Sequence, residues 1–161
     1  MPSLIALALS IGLLAVVGTW AILGPLAVIM MQIWQAFIAW ACFFHSGADI
    51  NAVKKTVICM SFGAVVGALS VMLAGQLGML GSLAAPVAVG IGAAVLVLAA
   101  HIGLLATIPA SVYGFASIAG LILLKGVSPV DAIVPTILSI IAGTALGFIS
   151  AKLSAAMTKK S

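Results

Sequence analysis

Charge is what this chain lacks. Of its 161 residues only 5% are charged, against roughly a quarter in a soluble domain, so it cannot cover a water-facing surface. Arginine is absent, and the net charge of +4 arises from six lysines set against Asp49 and Asp131. So sparse a set of cations excludes a nucleic-acid surface, which needs clustered basic residues. Cysteine is scarce as well. Cys42 and Cys59 both sit in apolar segments, without metal-ligand spacing or a disulfide framework, and read as small packing residues. There is no nucleotide-binding loop, no HExxH pair and no nucleophile with a partner base. Nothing therefore points to an enzyme, a cofactor or a bound metal.

What the chain has is apolar length. Hydrophobic residues make up 65% of it and its mean hydropathy is +1.46, which specifies an integral membrane protein with the lipid bilayer as its first partner. The opening MPSLIALALS carries no basic stretch before its apolar run, so the first segment is expected to stay as a span rather than be cleaved. A span needs about 20 mostly apolar residues. The segments that qualify are Leu4–Leu23, Leu26–Phe44, Thr56–Leu77, Ala85–Ala106, the shorter Ile108–Leu124, and Ala132–Leu153. The fifth, with Pro109 at its entrance and Gly114 and Gly120 within, either spans or dips in as a re-entrant piece. If it spans, Lys54, Lys55, Lys152, Lys159 and Lys160 share one side and only Lys125 lies opposite. Lysine bias toward the cytoplasm then favours six spans with both termini inside.

The chain also writes one helix twice. TVICMSFGAVVGALS (56–70) carries Gly63, Gly67 and Ser70, and TILSIIAGTALGFIS (136–150) carries Gly143, Gly147 and Ser150 at the same offsets. Upstream, INAV (50–53) falls on VDAI (130–133), and, after a skip of a few residues, QAFIAWAC (35–42) falls on ASVYGFAS (110–117). Two three-span repeats in series must lie in the membrane with opposite orientation. The expected fold is an all-α integral membrane protein of six transmembrane helices, built as two inverted-topology repeats (1–78 and 79–161), its fifth segment short or partly re-entrant. The paired glycines have the small-xxx-small spacing that lets helix backbones approach, and read as packing within one protomer ahead of a dimerisation face.

WQAFIAWACFFHSGAD (34–49) together with IPASVYGFASIAG (108–120) resembles the small bacterial inner-membrane proteins of the YcdZ type, a family without an established activity. The resemblance covers most of the chain and implies a multi-span protein of the bacterial inner (cytoplasmic) membrane. It brings no catalytic or binding residues. Ala36 and Ser111 stand where members of that type tend to have a glycine beside the aromatic.

With so few polar groups, each one inside a span asks for a reason. His101, read into the fourth span, is either a titrating group or a neutral imidazole bonded to a carbonyl or hydroxyl. Gln32 and Gln35, three apart in the second span, share a helix face and either bond a neighbouring helix or line a wet path. Ser111, Tyr113 and Ser117 populate the fifth segment, where Tyr113 reads first as an interfacial anchor, as do Trp20 and Trp40. Thr136, Ser139, Thr144 and Ser150 can bond back to their own helix. Asp49 or Asn51 is placed to cap the third span.

The missing intramembrane carboxylates and cations weigh against an ion-coupled pump. The expectation is a passive channel or facilitator for a small neutral solute (urea, a short amide, ammonia, water or a gas), lined by Gln32, Gln35, His101, Ser111 and Tyr113 and working as a homo-oligomer. The alternative is a non-transporting membrane subunit or assembly factor of a larger complex.

Overall fold

The computed structural model describes residues 2–158, and the regular structure in them is helical. Six α-helices follow in order: α1 (Ser3–Leu23), α2 (Ile33–His45), α3 (Ile50–Gln76), α4 (Ala84–Ala99), α5 (Ile108–Lys125) and α6 (Pro129–Met157), with 3₁₀ turns at 27–29, 78–83 and 103–105. The helix ends follow from local chemistry. Asp49 Oδ1 accepts the Ala52 N–H at 2.7 Å and starts α3. Ser128 starts α6, accepting the Asp131 N–H at 3.2 Å while its hydroxyl donates to the Asp131 carboxylate at 2.7 Å. Pro109 and Pro129 occupy first turns, where a missing N–H costs nothing. Gly126 ends α5 in the left-handed conformation at φ 66°.

Among the described residues, five helices are long and apolar enough to cross a membrane: 3–23, 50–76, 78–99, 108–125 and 133–157. The fifth segment forms one unbroken helix of 18 residues, without the break that a re-entrant piece needs. The second segment departs from expectation. Instead of a span over Leu26–Phe44, α2 has 13 residues, about 20 Å of helix against a hydrocarbon layer of roughly 30 Å. The cause lies before it. Gly24 and Pro25 end α1, Met30 takes a left-handed conformation at φ 59°, and Gln32 is extended at φ −114°, ψ 122°. Hydropathy alone does not distinguish this irregular apolar stretch from helix.

The core lies among α2, α3, α5 and α6, where Ala39, Cys42, Cys59, Met60, Ala64, Ala110, Ile118, Leu121 and Ile140 are buried together. The most extensive pairings are α3 with α5 and α2 with α6, and α3 also crosses α6. On the flanks, α1 packs on α6 and α4 packs on α3. Two groups of three helices result, α3–α4–α5 and α1–α2–α6, joined along the α3–α6 crossing. The α3–α5 and α2–α6 pairings rest on glycine. A Cβ on Gly63 would run into the Ser111 carbonyl of α5, and one on Gly143 into the Ala36 carbonyl of α2. Gly67 faces Phe115 and Ile118, and Gly147 faces Trp40 and Phe43. In lipid, where helices gain little from apolar burial against one another, such backbone approach supplies the van der Waals contact that holds them.

Outside this core the surface is apolar. Leu4, Leu13, Val16 and Trp20 of α1 and Val89, Val97 and Leu98 of α4 are all exposed. A water-facing protein rarely exposes so continuous an apolar surface; a bilayer is the solvent that accepts it.

Candidate functional site

Gln35 stands in the first turn of α2, and the close α2–α6 packing carries its side chain into the interior, where it is 0% exposed. Its Nε2 donates to the Ser117 carbonyl of α5 at 2.9 Å and to Thr136 Oγ1 of α6 at 3.1 Å. One amide thus links three helices. Among the described residues its Oε1 has no partner, and neither have the buried hydroxyls of Ser111 and Ser117. Each unmade bond on a buried polar atom costs about 1–3 kcal/mol, so these unpartnered atoms on α2 and α5 are the most distinctive chemistry in the molecule. No buried polar side chain among the described residues is charged.

The other residues singled out from the sequence disperse. Gln32 precedes α2 rather than sharing a face with Gln35: its backbone N–H donates to Ser139 Oγ at 2.9 Å and its side chain donates to the Met30 carbonyl at 2.8 Å. His101 lies outside the fourth span. α4 ends at Ala99, Ile102 is extended at ψ 114°, and His101 is exposed in the turn between them. Ser111 is fully buried in α5. Tyr113 is half-buried and lines a cleft of about 340 Å³ between α2 and α5 with Ile38, Ala41, His45 and Ala116. Its hydroxyl lies 3.4 Å from His45 Nδ1. Trp40, expected as an interfacial anchor, is buried against α6 and donates its indole N–H to Ser150 Oγ at 3.1 Å. Trp20, by contrast, is exposed near the end of α1.

Ser139, Thr144 and Ser150 donate back to carbonyls of their own helix. Thr136 and Ser117 carry more than the sequence suggested, because they are the two anchors of Gln35. The one signal in the sequence was the recurrence of Thr56 as Thr136 in the duplicated helix.

Fold and site together define a multi-pass helical membrane protein with an uncharged polar interior. The family of proteins of unknown function DUF1097 matches residues 8–155, and the chain belongs to it. No curated protein and no solved structure matches.

Proposed function

We propose that the protein is a passive channel or facilitator for a small neutral solute. The observation that carries this reading is the buried, uncharged and partly unpartnered polar side chains of the interior, Gln35 foremost. Atoms of that kind offer sparse hydrogen bonding to a passing molecule, and the lack of buried charge suits uncoupled movement. The proposed setting is the inner membrane of a bacterium, with both termini cytoplasmic; the proposed protein is of the YcdZ type and works as a homo-oligomer.

The reading includes inverted repeats over 1–78 and 79–161. Their support is a matched set of contacts: Gly63 with Ser111 answers Gly143 with Ala36, Gly67 with Phe115 and Ile118 answers Gly147 with Trp40 and Phe43, and α4 on α3 answers α1 on α6. Each pair exchanges the halves of the sequence alignment.

Stopped-flow light scattering on proteoliposomes, with urea, formamide, acetamide and glycerol in turn, tests the pathway. Faster equilibration of one small solute than in empty liposomes, lost in Gln35→Leu, is the expected result. Flux equal to empty liposomes for every solute removes the channel. The second reading, a non-transporting subunit of a larger complex, then leads; the backbone contacts at Gly63 and Gly143, which favour a closed bundle, speak for it, and a pull-down for membrane partners follows.

A further inference from the structure

We infer that the interior holds a binding site for one small hydrogen-bond donor, made by Gln35 Oε1 and the Ser117 hydroxyl. The direction of the Gln35 amide carries this. A backbone carbonyl only accepts, so the Ser117 carbonyl at 2.9 Å must face the Nε2 end of the amide. The Thr136 hydroxyl at 3.1 Å takes the second hydrogen of the same nitrogen. Both amide hydrogens are then used, and the amide cannot be turned over without setting its oxygen against a carbonyl oxygen. The group left open is Oε1, an acceptor, on a side chain that is fully buried. Ser117, whose carbonyl anchors the amide, also carries a buried hydroxyl with no partner among the described residues, able both to donate and to accept.

The ligand that completes this pair presents an N–H or O–H to the glutamine oxygen and a second polar atom to the serine. Water, ammonia, urea and primary amides have that chemistry. Dissolved gases without such hydrogens do not. Hard cations need about six or more oxygens, and the uncharged interior offers no counter-charge. The inference rests on the pathway reading for its biological use and narrows its solutes to hydrogen-bond donors; occupancy, however, is measured apart from flux.

The test uses full-length protein in detergent with ¹⁵N-labelled glutamine. The chain has only Gln32, Gln35 and Gln76, and Gln35→Met assigns the Gln35 side-chain signal by its loss. Propionamide, N-methylacetamide and N,N-dimethylformamide are isomers with successively fewer N–H donors. The expected result is a saturable shift of the Gln35 amide signal with propionamide, absent with N,N-dimethylformamide, and weakened roughly two- to tenfold in apparent affinity in Ser117→Ala. If no amide shifts the signal but it shows a cross-peak to a long-lived water, the occupant is a resident water and the donor site stands. An equal response to all three isomers overturns the inference, as does a signal with neither ligand response nor water contact. Liposome flux without isomer preference leaves the pathway standing and removes its selectivity. Donor-specific occupancy without flux does the reverse.

Discussion

Gln35 is the residue on which most of the interior chemistry converges, and its replacement should be costly in a specific way. Gln35→Leu keeps the volume near its original value but leaves the buried Thr136 hydroxyl without its partner and removes the second bond to the Ser117 carbonyl, whose helical bond within α5 remains. Unpaired buried groups cost about 1–3 kcal/mol each, so thermal unfolding in detergent should show a loss of that order. Gln32→Leu gives up a partly exposed bond to the nearby Met30 carbonyl and should change stability by less than about 0.5 kcal/mol. The same logic applies to Ser150→Ala, which leaves the buried Trp40 indole N–H unpaired and should destabilise by about 1–3 kcal/mol. At this scale the sequence could mark Gln35 as an amide in an apolar helix, since polar groups are rare enough there to be counted. It could not supply the partners. Ser117 and Thr136 lie 82 and 101 positions away, and no local pattern links them. Local bonding was legible where it stayed local, as with Ser139, Thr144 and Ser150 bonding one turn back.

At the scale of elements, glycine decides which helices meet. Gly63→Ala and Gly143→Ala each force a methyl group into a facing backbone, at Ser111 and Ala36. Backbone cannot swing aside as a side chain can, so each should cost about 1–3 kcal/mol or more. Gly12→Ala and Gly90→Ala place the same methyl in open space on α1 and α4. Those two should be neutral or stabilising by up to about 1 kcal/mol, because alanine is the better helix former. Parallel unfolding curves of the four variants check both claims. The glycine spacing announced close approach in the sequence, while the partners, α5 for α3 and α2 for α6, came only from the three-dimensional path of the chain. Segment counting was sound where helices fill their apolar runs. It failed for α2, because Leu26–Gln32 is as apolar as a span yet turns through a left-handed Met30.

At the scale of the whole molecule, the proposed six-span orientation is one that labelling can read. In a background with Cys42 and Cys59 replaced by alanine, Lys54→Cys and Lys152→Cys should react with an impermeant maleimide from one side of the membrane, and Lys125→Cys from the other. The expected cytoplasmic side is that of Lys54 and Lys152. Labelling of all three from one side would remove the six-crossing arrangement. The short α2 has a further consequence, for the order in which the protein is made. Its extensive partner is α6, which leaves the ribosome long after it, and its buried glutamine finds Ser117 and Thr136 only 82 and 101 positions downstream. A 13-residue helix carrying an unpaired amide is a poor candidate for insertion on its own. During synthesis α2 should therefore wait at the membrane surface until α6 arrives, and a nascent chain stopped before Pro129 should leave Ala39→Cys open to aqueous reagents, which its fully buried position in the finished protein excludes.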